Sequence, residues 1–258
     1  MAWQFNSYPQ TDLGLVRQGN EDSALISSNL IAVADGMGGH AGGEVASSIA
    51  INTLTELIKI LESNEIDNDS KDDLFVNITH QIDSAILQSS KDDPELSGMG
   101  TTLTALNITG SNVGLLHIGD SRCYRYRDKK LEQLSVDHTV MQELLDQGRL
   151  TQSEVANHPQ RSLLTQALMG DSGIVPILIN FEIKTGDRFL LCSDGLTNVL
   201  SDYEISKIIE ANIDKDIANA LIAEVKVKGA PDNITVIWAE LSSKKRKIAV
   251  TKIGAANE

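Results

Sequence analysis

The sequence predicts an α+β protein in which antiparallel sheets are covered by helices. Three observations carry this expectation. Short apolar runs of β-type composition come in groups joined by turns, without the regular strand–helix alternation of a doubly wound sheet. Two long stretches with helical spacing stand together between those groups. The 258 residues, 41% hydrophobic and 22% charged, suit one large domain, and such a chain can bury roughly 70–75% of its unfolded surface.

Strands are expected at Trp3–Tyr8, Leu13–Arg17, Asp22–Ile26 and Leu30–Ala34. A helix follows, with Val45, Ile49, Leu54, Ile58 and Leu61 on one face, and a second over Asp72–Ser89 with Leu74, Phe75, Ile78, Ile82 and Ile86. Strands return at Thr101–Ile108, Val113–Ile118, Arg122–Arg127 and Leu131–Leu134. Short helices fit His138–Gln147 and Thr151–Ala156, the latter opened by Thr151-x-x-Glu154. Strands at Pro176–Ile183 and Asp187–Cys192 precede a helix capped by Ser201-x-x-Glu204 and running to about Ala211. A helix at Ile217–Val227 and a strand at Asn233–Glu240 complete one domain, residues 1–240, leaving a basic and polar tail, 241–258.

The net charge of −14 argues against a broad nucleic-acid surface, which needs clustered Lys and Arg. Much of the excess lies between Leu61 and Glu95, where ten acids face only Lys71 and Lys91, and reads as a solvated face. No apolar run approaches the roughly 18 residues a membrane span needs, and the start carries no secretory pattern. Cys123 and Cys192 lie in separate strands without metal-type spacing, which implies buried thiols in a reducing, cytoplasmic setting. A monomer is expected.

Certain aspartates sit where strands end. Leu30–Ala34 runs into Asp35-Gly36, Val113–Ile118 into Gly119-Asp120, and Arg188–Ser193 into Asp194-Gly195, while Asp232-Asn233 directly precedes Ile234–Trp238. Any one alone reads as a turn. Four together, at ends that a packed sheet can bring to one rim, would repel one another unless a cation lay between them. All-oxygen ligands without a Cys or His cluster point to Mg²⁺ or Mn²⁺, in a site that several carboxylates share, binuclear by expectation. Arg17, near Glu21 and Asp22, is a salt-bridge partner or a bidentate phosphate ligand. His40 follows Asp35 by five residues in a glycine-rich loop and is a candidate proton donor.

Other patterns fail. Gly36-Met37-Gly38-Gly39-His40-Ala41 formally fits a dinucleotide fingerprint, but Asp35 would oppose a pyrophosphate and no second parallel strand follows. No P-loop or nucleophile elbow is present, and Asp67–Asp72 lacks the ligands of a calcium loop. His80, His117, His138 and His158 show no ligand spacing and read as structural.

Seven segments in order resemble the protein phosphatase 2C family: Arg17-x-x-Asn20-Glu21-Asp22, Val33–His40, Gly100-Thr101-Thr102, His117–Arg122, Asp137-His138-Thr139, Cys192–Thr197 and Asp232–Thr235. They cover nearly the whole chain to about Glu240 and resemble a minimal bacterial member. The resemblance implies a four-layer α-β-β-α sandwich of two antiparallel sheets flanked by helices. It implies that Asp35 bridges two Mg²⁺ or Mn²⁺ ions, with the Gly36 carbonyl, Asp194 and Asp232 as further ligands and Glu21 and Asp22 holding metal-bound waters or Arg17. Asp120 with Asp194 would take a third, weaker ion. Arg17 would bind phosphate, His40 would act as general acid, and residues 133–169 would form a flap beside the cleft.

The activity so implied is hydrolysis of phosphoserine and phosphothreonine on protein substrates, with hydroxide generated between the metals as nucleophile. An inactive phosphoprotein-binding module on the same fold is the main alternative, with a nucleotide-binding oxidoreductase and a phosphodiesterase as others. One departure stands out. Where bacterial members often carry Leu-Thr-Arg-Ala-Leu-Gly, this chain has Leu164-Thr165-Gln166-Ala167-Leu168-Met169-Gly170, with the arginine missing and one residue added.

Overall fold

A computed structural model describes the chain except residues 1–2, 40–41, 62, 64–65, 152–153, 155–157, 159, 161, 171–172, 214–215, 245 and 258. Twelve strands are seen among the described residues: β1 Gln4–Asp12, β2 Asp22–Ile26, β3 Leu30–Met37, β4 Gly100–Thr101, β5 Leu103–Thr109, β6 Asn112–Ile118, β7 Arg122–Arg127, β8 Lys130–Gln133, β9 Ile177–Glu182, β10 Arg188–Cys192, β11 Ile234–Ser242 and β12 Thr251–Gly254. The helices are α1 Gly42–Leu61, α2 Asn68–Asp92, α3 Val140–Asp146, α4 Asp194–Thr197, α5 Asp202–Asn212 and α6 Ile217–Val227.

The strands form two sheets. One runs β1-β11-β10-β7-β8; the other runs β12-β2-β3-β5-β6-β9, with β4 added beside β3. Every pairing is antiparallel. Alternation along single strands builds the layers, because successive side chains leave a strand on opposite faces. In β3, Ile31 and Val33 join Phe5, Phe189 and Ile237 between the sheets, while Leu30, Ala32 and Ala34 pack under α1 and α2. In β10, Phe189 and Leu191 face the opposite sheet, while Leu190 and Cys192 lie under α5 and α6. Three apolar layers thus separate four structural ones, and the expected α-β-β-α sandwich is the fold. None of the described helices is long and apolar enough to cross a membrane.

Most expected elements are present within a few residues, and the differences have local causes. β1 continues past Tyr8 through Pro9 to Asp12, because it is an edge strand paired only with β11, where proline costs no ladder bond. Leu13–Arg17 is not a strand: Gly14 has φ +79°, and its N–H donates to Asp12 Oδ1 at 2.9 Å, turning the chain out of the sheet. α2 starts at Asn68 rather than Asp72, because Asp67 accepts the Ser70 N–H at 2.8 Å and caps it. Thr139 similarly caps α3, and Ser201 with Glu204 forms the predicted capping box of α5. Glu154 accepts the Thr151 N–H at 2.8 Å, but most of the helix expected there lies outside the described residues.

The last residues are not simply a tail. β11 runs to Ser242, and β12 pairs with β2 from Thr251 opposite Ile26 to Gly254 opposite Ser23. Ala255 and Ala256 are buried, and the Ala256 N–H donates to Ser23 Oγ at 3.0 Å. A four-residue strand with one large apolar side chain is too short for its periodicity to show in sequence.

Candidate metal centre and active site

The topology brings the strand-end carboxylates to one rim. Asp22 and Asp35 are direct partners across β2 and β3. Asp120 follows β6, Asp194 opens α4 two residues beyond β10, and Asp232 stands two residues before β11, the antiparallel neighbour of β10. Arg17, Glu21, Asp35, Gly36, Asp120, Asp194 and Asp232 all line one cleft of about 780 Å³. Asp22 does not line it. Its carboxylate is buried at the junction of the two sheets and accepts the Ser193 hydroxyl at 2.7 Å. His40 lies outside the described residues.

Residues read only as parts of motifs, together with Asn198, which belongs to none of them, prove to be the scaffold of these acids. The Asp35 carbonyl accepts the Thr101 hydroxyl at 3.0 Å and the Thr102 N–H at 2.9 Å, and the Asp35 N–H donates to Thr102 Oγ1 at 3.0 Å. Thr102 Oγ1 in turn bonds Ser121 Oγ at 2.8 Å, beside Asp120. Asn233 closes the loop that carries Arg17: its amide donates to the Leu13 and Gly19 carbonyls, and its Oδ1 accepts the Glu21 N–H at 2.9 Å. Asn198, one turn beyond Asp194, donates to Asp194 Oδ2 at 2.8 Å. His138 accepts the Gly119 N–H on Nδ1 at 3.2 Å, while Asp137 takes Arg122 in a fork at 2.7–3.0 Å. The partners of Asn233 and Thr102 are far away in sequence, so no local pattern announces them; Asn198 follows Asp194 at helical spacing, and that was a usable signal.

Two glycines are sterically required. A Cβ on Gly36 would stand 2.0 Å from the Gly43 carbonyl oxygen, and one on Gly195 would stand 1.9 Å from the Asn233 carbonyl oxygen. Gly36 in β3 and Gly43 in the first turn of α1 therefore let the start of the helix pack against the end of β3 and Glu21. With antiparallel pairing throughout, this is no dinucleotide-binding crossover.

The electrostatics are those of crowded acids. Burial first, then the neighbouring carboxylates, pushes Asp22 and Asp120 up to about 7, with hydroxyl bonds from Thr235 and Ser193 moderating the shift on Asp22. Asp35 is raised well above its ordinary value by burial and then by Asp22, Asp194, Asp120 and Asp232, and Asp194 is raised by burial and Asp232. Arg17 offsets part of this repulsion, with Nε 2.8 Å from Asp232 Oδ1 and Nη2 2.9 Å from Oδ2. Among the described residues no three His, Cys, Asp or Glu side chains close on one point as a complete shell. The acids stand around the cleft instead. An all-oxygen set of that openness fits hard divalent ions that keep part of their water, and it does not fit zinc.

The raised values set a pH dependence. Asp22 and Asp120 hold protons in the folded state up to about pH 7, whereas an ordinary aspartate ionises near 3.8. Stability from this source is complete at low pH and is lost as pH rises through 7. In EDTA the melting temperature should fall between pH 5 and pH 8, and Mn²⁺ should raise it more at pH 8, where it no longer competes with protons. A melting temperature that holds or rises over this range in EDTA would show that the carboxylates do not share the site.

The two thiols are free and buried, on neighbouring strands β7 and β10. Burial pushes Cys192 up to about 12 and Cys123 further, so neither is a nucleophile. His117 is equally enclosed, bonded to Thr104 Oγ1 at 2.9 Å and to the Val136 carbonyl at 3.0 Å.

Comparison with known proteins agrees with this geometry. The profile of the family described as Protein phosphatase 2C matches residues 17–221. The serine/threonine protein phosphatase PstP of Mycobacterium tuberculosis is 43% identical over 235 residues, covering 90% of this chain and 44% of its own length. The chain thus spans less than half of that relative. The serine/threonine phosphatase stp of Listeria monocytogenes is 33% identical over 241 residues, covering 90% of this chain and 94% of that protein. The crystal structure of the PstP catalytic domain in complex with two manganese ions superposes with a TM-score of 0.84 at 39% identity, over 94% of this chain and all of that one.

Proposed function

The chain belongs to the protein phosphatase 2C family, and from that premise we propose that it is a metal-dependent enzyme hydrolysing phosphoserine and phosphothreonine monoesters on proteins. The observation that carries this reading is the rim itself: acids from five separate segments beside one partly open arginine, with Asp22, Asp35, Asp120 and Asp194 raised in pKa by burial and by their carboxylate neighbours.

Asp35, the Gly36 carbonyl, Asp194 and Asp232 would hold two Mg²⁺ or Mn²⁺ ions, with Glu21 and Asp22 acting through water, and Asp120 with Asp194 would hold a third, weaker one. When bound, the ions supply Lewis-acid chemistry, acidifying water and drawing charge from phosphate oxygens. Arg17 binds the phosphate. Its side chain is 47% exposed, and its guanidinium is kept protonated by Asp232, which takes the Nε–Nη2 edge and leaves the Nη1–Nη2 edge of the planar fork to suit two phosphate oxygens. His40 protonates the departing serine or threonine oxygen. The buried cysteines take no part, since no phosphoenzyme is needed.

The test is turnover of a phosphothreonine peptide by the full chain with Mn²⁺ or Mg²⁺ and its loss in excess EDTA. A phosphatase gives both results. Tight binding of the phosphopeptide without release of phosphate would identify a binding module instead, and preference for bis-p-nitrophenyl phosphate over the monoester would identify a phosphodiesterase.

A further inference from the structure

The departure at Gln166 and Met169 has a definite place in the cleft. Met169 is fixed on both sides of its own Cα. Before it, Leu168 exchanges two backbone hydrogen bonds with Thr101, at 2.9 and 3.0 Å. At and after it, the N–H groups of Met169 and Gly170 donate to Asp83 Oδ1 at 3.1 and 2.7 Å. Asp83 is on α2 and only 6% exposed. Gly170, at φ +82°, lies so close to α2 that a Cβ there would stand 2.7 Å from Leu87 Cβ. The added residue is therefore seated on α2 by Asp83 and Leu87, one turn apart on the same helix.

This seat turns the Met169 side chain over Gly100. A Cβ on Gly100 would lie 2.7 Å from Met169 Cγ and 3.5 Å from Met37 Cγ, so the glycine leaves room for both thioethers above one patch of backbone. Met169 remains 43% exposed, and both methionines line the cleft that holds Arg17 and Asp35. Among the described residues, the wall from residue 162 to Ile174 contributes no charged side chain to that cleft. The acids and Arg17 enter the cleft from other segments. Replacement of arginine by Gln166 and addition of Met169 thus remove a cation from this wall and supply an apolar, adaptable one.

We propose that Met169, seated by Asp83, forms with Met37 an apolar subsite that takes an apolar side chain flanking the phosphorylated residue of a protein substrate. The proposal rests on the phosphatase reading and narrows its substrate class. Met169 and Met37 make the contact; Asp83 is a positioning residue that acts through the backbone of Met169 and Gly170.

Three phosphothreonine peptides, identical except for Leu, Glu or Arg on both sides of the phosphothreonine, test this with the Mn²⁺-loaded full chain. The readout is the ratio of kcat/KM between peptides, from which any loss common to all of them cancels. The Leu peptide should exceed the Glu peptide by about tenfold, the scale of discrimination an apolar pocket supplies. The ratio should fall towards one in Met169→Ala and in Asp83→Ala, and Asp83→Asn, which keeps a carbonyl acceptor, should restore it. Met169→Glu should favour the Arg peptide over the Leu peptide. Ratios near one in the unaltered chain, or ratios unmoved by Met169→Ala and Met169→Glu, overturn the subsite and leave the phosphatase reading standing. No turnover of any of the three peptides overturns both.

Discussion

Asp35→Asn should abolish turnover of phosphothreonine peptide and p-nitrophenyl phosphate alike while making the metal-free protein more stable. The two effects have one cause. Asp35 is ringed by Asp22, Asp194, Asp120 and Asp232, and burial together with those four acids holds its carboxyl well above the ordinary range. Asparagine has nearly the same shape and leaves the backbone bonds to Thr101 and Thr102 in place. Removing the charge relieves repulsion when no cation is present, so the melting temperature in EDTA should rise at pH 8, above the values of about 7 to which Asp22 and Asp120 are pushed. It also removes the negative charge that a bridging position needs. Calorimetric titration should show Mn²⁺ affinity falling steeply, and kcat/KM should fall at least about 10³-fold, roughly 4 kcal/mol of transition-state stabilisation. An active Asp35→Asn enzyme would remove Asp35 from the centre of the site. Unchanged stability in EDTA would show that repulsion does not govern the rim.

How much of this was legible in the sequence follows from the range of each interaction. Alternation along β3, β10 and β11 is a local property of a few residues, and it placed the strands and, through their ends, the aspartates. Asp35, Asp120, Asp194 and Asp232 were readable because each is adjacent to a strongly apolar run. The scaffold was not. Asn233 reaches back to Leu13 and Gly19, and Thr102 to Asp35, contacts that exist only once the sheets are formed. Asp83 misled for another reason. It belongs to the acidic run that reads as a solvated face, yet it follows Ile82 and precedes Ile86 by three residues, which puts it at the edge of the buried stripe of α2. Net charge says where acids are frequent, not which one is turned inward. Part of that run is explained locally: Asp67 and Asp69 stand at the start of α2, where the helix dipole favours negative charge.

His40→Ala should lower turnover of a phosphothreonine peptide by about 10²–10⁴-fold, the usual worth of a positioned acid, and p-nitrophenyl phosphate turnover far less. The asymmetry comes from the leaving group. A threonine alkoxide leaves poorly unless a proton reaches it as the P–O bond breaks, whereas p-nitrophenolate leaves with its charge spread over the ring. The other four histidines do not offer an equivalent donor. His117 is sealed between Thr104 and Val136, and burial pushes it down to about 3. His138 spends Nδ1 on the Gly119 N–H, and burial lowers it as well. His80 is on α2, and His158 accepts the Gln160 N–H on Nδ1 at 3.2 Å; neither lines the cleft. His40 is instead five residues beyond Asp35 in sequence, in the connection between β3, whose end at Gly36 and Met37 lines the cleft, and α1. With the peptide, the alkaline limb of the kcat profile should disappear in the variant, because the group whose deprotonation causes it is gone. Equal losses on both substrates, or an alkaline limb that survives, would take the acid role away from His40 and leave the leaving group to be protonated by water alone.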